Sequence, residues 1–303
     1  GSGGGRIAVY YSDISGFNTA NIMAYGGTGY RNGSGGTVYL KDTLQGLEDL
    51  IFNNNNASSS ATPLTVTGKT FKSFKVSNSG NVILTGDLVV TGELAIDGGT
   101  LSSEQKIQSG SIVIKNSGLL THHSTTTTDE YRLEITTDSL SIDSTSKIDV
   151  SGKGYLAGRT LGNTTTGASG YGTGGSYGGL GGVGSNNYAP NAVYGDFTNP
   201  NELGSGGGSG GSGGGLIRIT AGSIQLDGEI KSDGGSAGYS VGAGSGGGIY
   251  INVSTLSGVG KITANGGSVS YSWYGGAGSG GHRNDDDRRR GDAGLLAAPA
   301  GTR

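Results

Sequence analysis

"GGSGGGLIRIT" (Gly210–Thr220) decides the reading, because "GSGGGIYINV" (Gly244–Val253) repeats it and "GSGGGRIAVY" (Gly1–Tyr10) opens the chain on the same phrase. Aligned on the triplets Gly213-Gly214-Gly215 and Gly246-Gly247-Gly248, the later copies stand thirty-three residues apart. Each unit runs glycine triplet, alternating apolar stretch, polar corner, second short stretch, closing Gly-Gly. Asp233 and Asn265 precede two of those closing pairs, which suits corners that need positive φ. Within the stretch, Ile217 and Ile219 face one way and Leu216 and Arg218 the other, the period of a half-buried strand. A unit this short cannot bury its apolar face alone. Stacked on its neighbours it can, which is the logic of a solenoid.

Working outward, "FKVSNSGNVILTGDLVVTGELAIDGG" (Phe74–Gly99) keeps the pattern in a tighter metre. Its apolar pairs are Phe74/Val76, Val82/Leu84, Leu88/Val90 and Leu94/Ile96, and Ile112/Ile114, Leu133/Ile135, Leu140/Ile142 and Ile148/Val150 continue it. Strands of three or four residues separated by Gly, Asn, Ser or Thr suit a parallel β-helix better than an up-and-down barrel. "TLQGLEDLIF" (Thr43–Phe52) is the one helix candidate. From 152 to 211 the strand signal fades into loops rich in glycine and tyrosine. There Tyr171, Tyr177 and Tyr188 suggest loops resting on a solenoid flank, while "GSGGGSGGSGGG" (Gly204–Gly215) has linker composition.

Glycine supplies 66 of 303 residues, 32% are hydrophobic and 14% charged. Aliphatic and aromatic side chains are therefore sparse, and glycine makes up much of the apolar share that a usual globular domain draws on. The net charge of −3 gives no basic footprint for nucleic acid, and no apolar run of about 18 residues offers a membrane span. Without cysteine there is no disulfide, thiol chemistry or Cys-based zinc site. After Gly281 the pattern calls for another strand, yet "HRNDDDRRRGDAGLLAAPAGTR" (His282–Arg303) follows. That tail reads as unstructured or non-native sequence. The expected organisation is a single solenoid over 1–281, with related glycine-rich repeats at 1–37 and 212–281, a short-rung core at 38–151 and loops at 152–211. The whole looks like one long unit of a larger tandem protein.

The phrases "GSGGGRIAVYYSDISGF", "GSGGTVYLKD", "DLIFNNNN", "LVVTGELAIDGGTL", "IDVSGKGY" and "SGGGLIRITAGSIQLDGEIKSDGG" resemble the glycine-rich repeat regions of large bacterial secreted and cell-surface proteins, of the adhesin or autotransporter-passenger kind. The resemblance implies an all-β fold, a right-handed parallel β-helix (β-solenoid) with glycine-rich flank loops, outside the cell or on its surface. It implies a stalk and carries over no catalytic residue.

Chemistry is sparse. His122 and His123 could ligate a metal, but neighbours on a strand point to opposite faces, and a solvated turn is the preferred reading. Asp285–Asp287 lack the alternate spacing of a calcium loop, and Arg290-Gly291-Asp292 is a three-residue match. Gly170-x-Gly172-x-x-Gly175 lacks the strand and helix that would make it a dinucleotide site. Tyr271, Trp273 and Tyr274 in "SVSYSWYGG" could form a shelf on which a sugar ring stacks, or could staple their own loop. For a carbohydrate-active β-helix, a polysaccharide lyase or hydrolase or a phage tailspike-like depolymerase, the candidate acids are Asp87, Glu93, Asp97 and Asp149, placed at turns. No metal or cofactor is expected. The expected partners are surface glycans and, through an uncapped sheet edge, further copies of the chain.

Overall fold

The computed structural model describes residues 1–104, 106–184, 187–270 and 276–279. In chain order the strands are β1 (Arg6–Tyr11), β2 (Thr37–Asp42), β3 (Glu48–Asn53), β4 (Thr62–Thr65), β5 (Thr70–Phe71), β6 (Ser73–Ser77), β7 (Asn81–Thr85), β8 (Leu88–Asp97) and β9 (Thr100–Ser103). They continue as β10 (Lys106–Lys115), β11 (Leu119–His122), β12 (Leu133–Ile142), β13 (Lys147–Asp149), β14 (Leu216–Leu226), β15 (Glu229–Lys231), β16 (Gly248–Ser257) and β17 (Lys261–Thr263). Among the described residues there is no α-helix, and the chain is all-β. The larger sheet has the order β1-β2-β3-β6-β8-β10-β12-β14-β16, with β5 beside β8; the smaller is β17-β15-β13-β11-β9-β7-β4. From β6 onward successive strands alternate between the two sheets, and every pairing but β2–β3 is parallel.

The sequence explains this directly. Like residues stack on like through the parallel register: Leu88, Ile107, Ile135, Ile219 and Ile251 form one ladder, and Leu94, Ile112, Leu140, Ile224 and Leu256 another. Across the core, the smaller sheet aligns Val82, Leu101, Leu120, Ile148, Ile230 and Ile262. Burial is essentially complete along these ladders until the last rung, where Leu256 and Ile262 are 52% and 43% exposed.

Three expectations need correction. The rungs of the larger sheet are not broken every three or four residues: β8, β10, β12 and β14 run for ten or eleven. Leu88/Val90 and Leu94/Ile96 thus lie on one strand. Inward positions step from 109 to 112, 137 to 140 and 221 to 224, one residue more than strict alternation, and that extra residue bends the strand without ending it. Ser109 Oγ donates to the Ser111 carbonyl at 2.7 Å, and Thr137 Oγ1 donates to that of Ser139 at 3.0 Å, satisfying acceptors inside the bend. Second, Thr43–Phe52 is no helix. Asp42 Oδ1 accepts the amides of Leu44 and Gln45, Gly46 turns the chain at φ +68°, and Leu50 and Phe52 enter the core from β3. Third, positive φ does not fall at Gly234-Gly235 or Gly266-Gly267. Between the sheets it falls at Asn78-Ser79 and Asn116-Ser117, in corners spelled Asn-Ser-Gly, and at Gly98 in the corner Asp97-Gly98-Gly99.

The glycine runs are the larger surprise. Residues 204–215 are not a linker; most are buried. Segment 242–247 exchanges backbone hydrogen bonds with six others: 204–208, 211–214, 172–175, 232–235, 264–267 and 276–279. A strand in a flat sheet has two neighbours. Six require peptides that turn through successive directions along the segment, as an extended helix of three residues per turn allows. A Cβ on Gly242 would overlap the carbonyl oxygen of Thr173, and one on Gly208 that of Gly170. Only glycine permits that approach. A smaller version at the start ties 1–5, 24–27 and 33–36 together through Gly27 N to Ser2 O, Gly4 N to Ser34 O and Gly36 N to Ala24 O, at 2.7–2.9 Å.

Candidate functional site

His122 sits at the end of β11 and is fully buried, so the solvated-turn reading is wrong for it. Its Nδ1–H donates to the His123 carbonyl at 2.6 Å, which leaves Nε2 to accept the Leu216 amide at 3.3 Å. Burial pushes its pKa down to about 3, outweighing the His123 carbonyl, which acts the other way. The ring is a neutral structural bridge. Among the described residues no group of three His, Asp or Glu could hold a metal.

The candidate acids are engaged separately. Asp97 lies 3.5 Å from Lys115 Nζ and accepts from Asn116 Nδ2 at 2.6 Å. Asp149 accepts from Lys147 Nζ and the Ser151 amide, each at 3.0 Å. Burial raises the Asp149 pKa, and those bonds more than reverse it. Glu93 lies within β8 and not at a turn as expected, whereas Asp97 ends β8 at the corner made by Gly98 (φ +70°). Asp87 lines an open pocket of about 520 Å3 with Lys69 and Glu104, where Glu104 Oε2 already accepts the Gly86 amide at 2.6 Å.

A cleft of about 340 Å3 that the sequence did not single out lies where two loops meet over Leu216. One wall is Glu130, Tyr131 and Arg132; the other is Asn201, Glu202 and Leu203. The first loop is fixed by Asp129, whose Oδ2 accepts from Thr126 and Thr128 hydroxyls at 3.0 and 2.8 Å, and by Asn163 Nδ2, which donates to the Thr126 carbonyl. On the second, the Arg218 guanidinium donates to the Pro200 carbonyl at 2.6 Å and to Asn199 Oδ1 at 2.9 Å while lying 4.2 Å over the Tyr250 ring. Tyr194 OH pins Leu203 by its carbonyl at 2.6 Å. Beneath, Tyr155, Leu203 and Leu216 form a second small core, separate from the aliphatic ladders. Leu216 thus faces away from Ile217 as its alternation implies, yet is covered by loops.

Glu130 is the chemically distinctive group. The residue is exposed overall, but partial desolvation of its carboxyl against the cleft, and then the charge of Glu202, push its pKa up, and Tyr155 OH stands 3.5 Å from its Oε2. Burial holds the Tyr155 phenol protonated, with Glu130 reinforcing it. A carboxyl of raised pKa lining the same cleft as a second carboxylate is the kind of pair that general acid–base chemistry uses. Only the isolated "DEYR" and "PNEL" hint at this cleft in the sequence, seventy residues apart.

Of the tyrosines expected to rest on the flank, only Tyr177 is buried, packed 5.0 Å from the Tyr194 ring; Tyr171 and Tyr188 are about half exposed. Tyr271, Trp273 and Tyr274 lie outside the described residues, as do His282 and the Asp285–Asp292 stretch. No family model, curated protein or solved structure matches the chain.

Proposed function

We propose that the chain is a structural stalk or adhesive segment of a bacterial extracellular surface protein, folded as a right-handed parallel β-solenoid. The observation that supports it most is the run of unbroken aliphatic ladders from β6 to β16, each rung covering the last. Stability in such a stack comes from nearest-neighbour contacts, so length adds stiffness without a larger core. The glycine bundle extends the same economy sideways, since backbone bonds replace side-chain packing there. The resemblance to adhesin and passenger repeats supports the extracellular setting, with surface glycans and further copies of the chain as partners.

Incubation with a panel of soluble polysaccharides tests this, following new reducing ends and unsaturated sugar together. The expected result is no turnover by protein whose circular dichroism shows β-structure. Turnover on any member overturns the stalk reading. It would favour the second reading, a carbohydrate-active β-helix, for which the Glu130–Glu202 cleft is the specific observation.

A further inference from the structure

We propose that the turns at one end of the glycine bundle form a binding surface for neutral glycans, built on Tyr171, Tyr188 and Tyr239. The proposal rests on the adhesive reading above and names its ligand class.

The hydrogen bonds bring these turns together. Gly170 N donates to the Ala189 carbonyl at 3.1 Å, and a Cβ on Gly170 would stand 2.5 Å from that of Tyr188, so the Tyr171 turn abuts Tyr188. Gly172 N and Gly242 N both donate to the Gly208 carbonyl, at 3.2 and 3.0 Å. Gly208 therefore joins the Tyr171 turn to the one that carries Tyr239. That last turn spans Ala237 to Gly242, reverses at Ser240 (φ +63°), and sets Ala237 against Gly210. The three tyrosines are 48%, 52% and 62% exposed.

Three features select the ligand. Half-exposed aromatic side chains on a close-packed backbone lose little freedom on binding, since a tyrosine has two torsions to fix. The apolar ring face with a polar edge matches a sugar, whose C–H face stacks while its hydroxyls bond at the rim. Charge is sparse: no Lys, Arg, Asp or Glu occurs in 160–195, 204–217 or 234–260, and Arg159, whose carbonyl accepts the Gly206 amide, commits its guanidinium to the Thr127 and Asn163 carbonyls. Polyanionic polysaccharides and nucleic acids find little counter-charge here, whereas a neutral sugar loses nothing.

Affinity electrophoresis of the whole chain through gels containing dextran, galactan or mannan tests the proposal, with Tyr171→Ala, Tyr188→Ala, their double variant and Tyr10→Ala compared. Tyr10 is an exposed tyrosine on β1 and serves as the control. At least one neutral polysaccharide is expected to retard the protein. The double variant should weaken that retardation by about tenfold or more, while Tyr10→Ala and a tenfold rise in salt leave it unchanged. Absence of retardation by all three, survival of binding in the double variant with unchanged circular dichroism, or binding lost in high salt would each overturn it. Reducing-end assays on the same samples keep the stalk reading separate, since turnover would sink that reading whatever the tyrosine variants do.

Discussion

His122 Nε2 accepts the amide hydrogen of Leu216 at 3.3 Å, joining residues 94 apart in sequence. The bond ties β11 of the smaller sheet to the start of β14 in the larger one, just after the long excursion through the glycine bundle. Gly215 makes room for it, because a Cβ there would overlap the imidazole. With both nitrogens satisfied in the neutral form, protonation must break the Leu216 bond inside the core.

The sign of the pH effect follows. The folded pKa is depressed to about 3 from an ordinary 6.5, so the unfolded chain binds the proton more readily. The stabilising contribution is complete above pH 6.5 and is lost as pH falls toward 3, at about 1.4 kcal/mol per pH unit. Wild type should be the more stable of the pair at pH 7. Its advantage over His122→Gln in urea unfolding should shrink between pH 6.5 and 4. A constant gap would show that the ring does not titrate in that window.

Gly242 and Gly178 make a matched test of the bundle. An added methyl at Gly242 meets the Thr173 carbonyl, whereas at Gly178 it meets nothing within 4 Å. Overpacking costs about 1–3 kcal/mol, and the obstacle at Gly242 is backbone, which yields little. Gly242→Ala should lower the thermal midpoint by several degrees, with Gly178→Ala neutral or slightly stabilising through its effect on the unfolded chain. Equal midpoints would mean that the six-neighbour packing is not what holds 242–247.

The ladders predict a gradient. Leu140 and Leu256 occupy the same ladder, but Leu140 is covered on both sides, whereas among the described residues Leu256 has a ladder neighbour on one side only. Leu140→Ala should cost about 2–5 kcal/mol. Leu256→Ala, half exposed already, should cost less than about 1 kcal/mol. Denaturant unfolding of the two variants decides it.

How far the sequence carried depends on where side chains do the packing. Ile217/Ile219 and the pairs from Phe74 to Val150 alternate visibly, and all of them enter the aliphatic core. The continuity of β8 through Gly92 was hidden, because a bend and a turn both recruit glycine and threonine. In 204–215 the packing is done by backbone, so hydropathy has nothing to report and linker and bundle interior share a composition. His122 was misread because its partner lies 94 residues away. Glu130 and Glu202 face one cleft only because the loops that carry them are pinned by Asp129, Asn163 and Arg218, none of which stands out by type.

Glu130 supplies an electrostatic check on that cleft. Its folded pKa is raised, by partial desolvation in the cleft first and by Glu202 second. The ionised form is therefore penalised in the folded state, and stability falls as pH rises through the carboxyl's titration. Glu130→Gln removes the penalty. It should raise the thermal midpoint at pH 8, with the gain disappearing toward pH 4, where wild type is itself protonated. A variant less stable at pH 8 would show that Glu130 is held ionised by partners in the cleft.

The last rung predicts association. β16 pairs with β14 on one side, and among the described residues no strand pairs with the other. Among the described residues the ladders end there on Ile251, Leu256 and Ile262, with no described strand bonded to the outer edge of β16. Contact between this end and a different surface on the next copy would be heterologous and need not close, so growth should continue with concentration. Sedimentation velocity should show a weight-average mass that rises steadily without a plateau at dimer. Leu256→Lys, which places a charge in the path of the incoming strand, should return the profile to monomer without altering circular dichroism. A strictly monomeric wild type at high concentration would refute end-to-end assembly.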